Sequence, residues 1–373
     1  MMINEERVIG RKPVRKKNFK VLKIFFLVLA VIIVAAASSL GIYAYSNLHY
    51  DEKPLKKTYS AGYEEKQVTL DDGTILNYSE GPDKGPALLL IHGQSMEWED
   101  YSRVLPGLAK YYHVYAIDCH GHGESSHDSS KYTGVAMGKD FVWFIENVIG
   151  EPCVISGHSS GGILAAWIAA NAPENVLGIV LEDPPFFSVK PEEMQNTFVW
   201  RDGFDIAHKF KNQTNVDDYT LYYMENSYFW GMFGDLRKLT SESTRKYRAE
   251  YPGKPLKLWY VPYKWIHGTL YMDDFDLDFS ETFYSGSWFK GFDQVDTLSK
   301  INCPSVYIKT ATQYGSDGVL FAANSDEDAE KVHNLITGNQ MIIIKSGHDI
   351  HFEQPDEFIR IMSEFLKKIK YEY

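Results

Sequence analysis

Between residues 87 and 182 continuous apolar runs alternate with stretches of helical length. The runs are ALLLI (87–91), HVYAID (113–118), PCVISG (152–157) and VLGIVLE (176–182), and the stretches between them lie near 97–111, 134–149 and 160–172. A strand that is apolar at successive positions is covered on both faces, which is the condition of a parallel sheet between layers of helices. An α/β architecture with right-handed crossovers follows. In front of it KQVTL and TILNYSE flank Asp71-Asp72-Gly73, the pattern of a hairpin. The alternation stops at Asp183-Pro184-Pro185 and resumes at Pro304 with SVYIKT, a helix near 326–336, MIIIK and a last helix at 355–370. Residues 66–183 and 301–373 therefore read as one core, and 184–300 as an insertion.

The insertion is rich in rings. It holds 27 of the chain's 54 aromatic residues in under a third of its length, clustered as at Tyr222-Tyr223, Tyr228-Phe229-Trp230 and Trp288-Phe289. Such a segment forms a core of its own, lines an apolar pocket above the sheet as a cap or lid, or does both.

The 373 residues carry a net charge of −12, but residues 1–23 contain eight basic side chains (Arg7, Arg11, Lys12, Arg15, Lys16, Lys17, Lys20, Lys23) and only Glu5 and Glu6. The rest of the chain is thus at −18. An acidic body repels phosphate backbones, which argues against a nucleic-acid partner. Residues 24–45 are uncharged and as a helix would reach roughly 33 Å, enough to cross a bilayer. With the basic segment cytoplasmic, this becomes a single-pass signal-anchor with the main domain on the extracytoplasmic side of the cell membrane. The rival is a signal peptide cleaved after Ala35-Ala36-Ala37, which would release a secreted domain. Residues 46–65 are polar and without sustained period, so they read as a tether. Three dispersed cysteines, Cys119, Cys153 and Cys303, suit buried small side chains better than a disulfide framework or a zinc site.

The sharpest chemical signal is Gly157-His158-Ser159-Ser160-Gly161-Gly162, a G-x-S-x-G pattern between an apolar strand and ILAAWIAANA. Glycines two residues either side of a serine permit a strained tight turn, and the turn places the hydroxyl at a helix N-terminus where negative charge is favoured. ALLLIHGQS, IDCHGHGESS, GHSSGG and SGHDIHFEQPDEF follow in order along the chain. In these motifs, from about Gln67 to Lys368 apart from the insertion, the sequence resembles the serine-nucleophile branch of the α/β-hydrolase superfamily. The resemblance implies Ser159 as nucleophile and His348 as general base, with oxyanion-hole N–H groups from Gln94 and Ser160. His92 is then a structural hydrogen-bonding residue, and His351 orients the loop that carries His348.

The acid is less regular. Family members usually place an Asp shortly after the seventh strand, and KTATQYGSDGVL first offers one at Asp317, which is the expected acid. Some members carry it at the end of the sixth strand, where Glu182 and Asp183 stand, so Asp183 is the alternative; Asp326 and Asp328 complete the candidates. The run Asp273, Asp274, Asp276, Asp278 reads as a solvated cap loop rather than a cation site.

Two classes of function follow. One is a membrane-anchored carboxylic ester hydrolase that forms an acyl-enzyme at Ser159 on a small apolar ester-like substrate, without cofactor or metal. Peptidase, carbon–carbon hydrolase, thioesterase and perhydrolase chemistry belong to the same fold. The other is a hydrolase-fold ligand-binding protein that has lost turnover. The oligomeric state is not legible in the sequence.

Overall fold

The computed structural model describes residues 19–189 and 193–372. Eight strands form one sheet: β1 (Glu64–Thr69), β2 (Ile75–Glu80), β3 (Ala87–Ile91), β4 (His113–Ile117), β5 (Cys153–His158), β6 (Val176–Glu182), β7 (Ser305–Thr310) and β8 (Gln340–Ile344). Their order is β1-β2-β4-β3-β5-β6-β7-β8, antiparallel where β2 meets β1 and β4 and parallel throughout the rest.

The apolar runs behave as two-sided strands. Every residue of β3, β5 and β7 is buried. In β3, Leu89 and Ile91 join the cluster that includes Phe141, Ile163 and Trp167, while Leu88 and Leu90 join the opposite one with Leu105, Phe358 and Phe365. That is the period of two expected of a pleated strand between two helical layers. Fully burying each such side chain contributes about 1.5–3 kcal/mol, so the sheet is anchored from both faces. The hairpin sits where Asp71-Asp72-Gly73 placed it, with Thr69 opposite Ile75.

The described part of the insertion consists of helices joined by turns and adds no strand to the sheet, and most of its buried apolar residues fall in two groups. Phe204, Phe275, Phe279, Phe283, Trp288 and Phe292 are continuous with the core above the sheet. Met224, Trp230, Leu256, Leu258, Val261 and Ile266 form a separate cluster. The helical stretch near 97–111 is a 3-10 helix at Trp98–Arg103 followed by one α-turn at Leu105–Leu108.

Helix α1 runs unbroken over Phe19–Leu48 and is long and apolar enough to cross a membrane. Six of the eight basic residues, Arg7 to Lys17, lie outside the described residues. Residues 46–65 correct the expectation of a tether. The last turn of α1, helix α2 (Glu52–Ser60) and the start of β1 occupy them, and the Thr58 hydroxyl donates to the Ser102 carbonyl at 3.0 Å. Of the nine residues of α2 only Thr58 is buried and only Leu55 packs on the apolar core, too little to show as a period, and packing on the body holds it helical.

Candidate active site

β5 delivers the elbow. Ser159 follows it at φ 53°, ψ −122°, a backbone conformation that is strained for any residue with a side chain. Crowding dictates the flanking glycines: a Cβ on Gly157 would lie 2.2 Å from the Gly161 carbonyl oxygen, and one on Gly161 would lie 2.2 Å from that of Ile91. The helix Ser160–Asn171 starts at once, its Gly162 N–H donating to the Ser159 carbonyl at 2.9 Å. The loop after β3 closes on the same point. A Cβ on Gly93 would fall 3.0 Å from that of Ser159, so the backbone leading to Gln94 passes directly over the elbow.

His348, in the loop after β8, has its ring 4.6 Å from that of His158, the residue before Ser159. Its Nδ1 lies 2.8 Å from Asp183 Oδ2. Asp183 stands just past the end of β6 at φ 45° with its side chain fully buried, and it also accepts from the Thr310 N–H and hydroxyl, both at 2.9 Å. Burial opposes charge on both groups. Their mutual hydrogen bond and charge attraction, joined by the Thr310 bonds to Asp183 and by the Asp349 and Glu182 carboxylates near His348, together outweigh it, holding Asp183 below the ordinary carboxylate range and His348 above the ordinary histidine value.

Asp317, the acid expected from the sequence, is elsewhere. It is 43% exposed, pairs with Arg201 at 3.2 Å and accepts from the Tyr228 hydroxyl at 2.9 Å, both partners being cap residues. The chain after β7 turns away toward the cap before Asp317 is reached, and Asp183 fills the position beside His348 instead. Asp326 accepts from Thr312 and sits 3.2 Å from Lys309, while Asp328 accepts from its own N-cap, Ser325.

A family model described as alpha/beta hydrolase fold matches residues 86–355. The chain belongs to the α/β-hydrolase family. The hydrolase is 30% identical over 142 residues to a human serine hydrolase-like protein, covering 37% of this chain and 68% of that one. To the pimeloyl-[acyl-carrier protein] methyl ester esterase of Nitrosospira multiformis it is 32% identical over 127 residues, 33% of this chain and 48% of the esterase. Its matches span between 23% and 68% of the length of such curated relatives. Among solved structures, a bacterial membrane phospholipase A superposes with a TM-score of 0.55 at 20% identity, covering 93% of this chain and 99% of that one.

Behind the elbow the hydrolase buries a chain of charge that its sequence did not announce. His351 Nδ1 lies 2.9 Å from Glu182 and its Nε2 2.8 Å from Asp100, all three side chains inaccessible to water. Asp100 also lies 2.6 Å from His267 Nε2, contributed by the cap. Burial alone would keep His351 neutral, but the Glu182 and Asp100 carboxylates prevail and raise its pKa well above the usual value. His351 thus does more than orient a loop. The only available signal was the adjacency of Glu182 to Asp183; Asp100 and His267 lie far away in sequence. Asp100, His158 and His351 bring donor atoms within 4.8 Å of one another, a spacing that metal ligands share, yet Asp100 and His351 bond directly.

His92 is structural as expected: its Nε2 accepts from the Cys119 N–H at 2.8 Å and its Nδ1 donates to the Gly93 carbonyl at 2.7 Å. Burial lowers its pKa to about 4, so the ring is a neutral brace for the loop before Gln94. Gln94 Nε2 in turn donates to Ser280 Oγ at 2.7 Å, on the cap helix Leu277–Tyr284. The acidic run is not one cluster: Asp273 pairs with Arg248, Asp278 with Lys211, and Asp276 accepts from Tyr132.

Proposed function

We propose that this hydrolase is a membrane-anchored serine hydrolase that cleaves an ester-type carbonyl substrate through an acyl-enzyme at Ser159. The observation that carries the reading is the 2.8 Å contact of His348 Nδ1 with Asp183 beside a serine at φ 53°. With Nδ1 turned to Asp183, His348 Nε2 is left to take the Ser159 proton as Oγ attacks the substrate carbonyl carbon. Asp183 holds that tautomer and stabilises the imidazolium. The Gln94 and Ser160 N–H groups, beside the elbow, receive the oxyanion. Collapse expels the alcohol, protonated by His348, and water activated by the same imidazole attacks the acyl-enzyme to release the acid. The cap supplies the acyl-side pocket, supported by Gln94–Ser280 and by the packing of His122 against Phe275 (tilted) and Phe279 (edge-on), each at 4.7 Å. Apolar short-chain to medium-chain esters are then preferred over charged ones.

Fluorophosphonate labelling tests the chemistry. Ser159 should be the labelled residue and Ser159→Ala should abolish labelling; a wild-type chain that resists the reagent would leave the binding-protein reading in its place. In intact cells, protease added outside should remove the folded domain and spare the N-terminus. Protection of the domain would overturn the orientation, and a mature chain starting near Ser38 would replace the anchor by a cleaved signal.

A further inference from the structure

The end of α1 is fastened to one stretch of the cap. Asn47 Nδ2 donates to the Trp259 carbonyl at 2.9 Å, and Asn47 Oδ1 accepts from the Tyr263 N–H at 3.4 Å. The Tyr43 hydroxyl donates to the Tyr260 carbonyl at 3.3 Å, and Asp51 pairs with Lys257 at 2.8 Å. If residues 24–45 occupy the bilayer, Tyr43 to Asn47 stand at its outer surface. Hydrogen bonds of this length then hold residues 257–263 at the same depth.

The side chains around that stretch suit the depth. Trp259 is 46% exposed, Trp265 40% and Leu239 51%. Each lies at the fastened stretch or close to it: Trp259 packs on Tyr260 with ring centroids 5.6 Å apart, the Tyr260 hydroxyl reaches the Leu239 carbonyl at 3.5 Å, and Trp265, two residues past Tyr263, packs on Phe233 at 4.8 Å. Large apolar groups gathered at such exposure mark a contact surface, and indole and phenol rings favour the membrane boundary because one end is apolar and the other polar. At the foot of α1 lies a groove of about 890 Å³, lined by Ile42 and Tyr45 of α1, by Lys53, Lys56 and Lys57 of α2 and by Arg103 and Tyr263. Its carboxylates are Glu52, paired with His49 at 2.7 Å, and Asp356. Three exposed lysines on one helix reverse the sign of an otherwise acidic body at the end that meets the membrane.

We propose that the face around the foot of α1 is a lipid-contact surface lying on the outer leaflet, where Trp259, Trp265 and Leu239 enter the boundary between headgroups and acyl chains and Lys53, Lys56 and Lys57 meet anionic headgroups. The proposal rests on the reading of α1 as a membrane span. Its consequence is that the cap faces the bilayer, so the substrate ester is one that lives in or on that membrane.

Spin labels at single cysteines in the full chain test it, with the protein in nanodiscs of phosphatidylcholine with or without phosphatidylglycerol. Position 33 serves as a mid-bilayer ruler and position 314 as an aqueous control. Labels at 239 and 265 should be more accessible to oxygen, and less to a water-soluble nickel chelate, than the one at 314. Labels at 239 and 265 as aqueous as 314, with 33 still in lipid, would overturn the docking and leave the anchor standing; an aqueous label at 33 would remove the anchor itself. The triple variant Lys53→Gln, Lys56→Gln, Lys57→Gln changes only exposed side chains and should lose the rise in melting temperature that phosphatidylglycerol gives the wild type. An undiminished rise would remove the lysines from the surface.

Discussion

Glu182 and Asp183 are adjacent in the chain, yet their carboxylates hold different histidines: Glu182 contacts His351 at 2.9 Å and Asp183 contacts His348 at 2.8 Å. The Glu182 carbonyl also accepts from the Ser159 N–H at 2.9 Å. The end of one strand therefore touches the proposed nucleophile, the proposed base and the buried charge chain.

Ser159→Ala and His348→Ala are each expected to lower ester hydrolysis by about a million-fold, with the double variant little worse, because the two act as one unit. Single-turnover kinetics on all three variants checks this, and losses that multiplied would refute the pairing.

Asp183→Asn should lower turnover by roughly ten-thousand-fold while the fold persists, since the imidazole would lose its tautomer and its counter-charge. Asp317→Asn, whose partners are Arg201 and Tyr228, should stay within a few-fold of wild type. The opposite ranking in steady-state assays would return the acid to the loop after β7.

The raised pKa of His348 gives the pH dependence its sign. As the proposed base it works only when neutral, so kcat/KM should fall as pH drops and the acid limb should lie above 6.5, the ordinary histidine value. For stability the same shift acts in reverse: the protonated pair stabilises the fold below 6.5, and that contribution fades as pH rises through the higher folded value. The residual activity of Asp183→Asn should show the limb moved to lower pH.

His351→Ala would strand the Glu182 and Asp100 carboxylates in a dry interior and should destabilise the protein by about 3–5 kcal/mol. Urea unfolding measures this. Where the variant is folded, it should still react with a fluorophosphonate at Ser159.

Glu97 is pushed up to about 9, first by burial and then by the nearby Asp118, so the folded state keeps its proton over a range in which the unfolded state has released it. Its contribution to stability therefore declines as pH rises from 4.5 toward 9. Glu97→Gln should raise the melting temperature at pH 8 and change it little at pH 4; equal effects at both would contradict the shift.

Sequence alone located what depends on short-range pattern. Strands buried on both faces announce themselves as apolar runs, and the elbow does so because crowding at Gly157 and Gly161 admits no other residue. The choice between Asp183 and Asp317 was of another kind, since it depends on where the chain turns after β7 and on which carboxylate meets an imidazole 165 positions later. The chain from Glu182 through His351 and Asp100 to His267 draws on four distant segments, and each residue taken alone looks like an ordinary surface charge. Residues 46–65 were misjudged because α2 owes its helicity to the body beneath it, not to any periodicity of its own.

Only three residues, 49–51, separate α1 from α2, and both ends of that link are bonded to the body. There is no slack. A hydrolase held in this way, with α1 in the bilayer as proposed, has a fixed reach: its site cannot swing out to sample the surrounding fluid, and it searches for substrate by drifting in two dimensions with its own anchor. The rate of encounter would then follow the surface density of the ester in that membrane, and bulk concentration would matter only through partitioning into it.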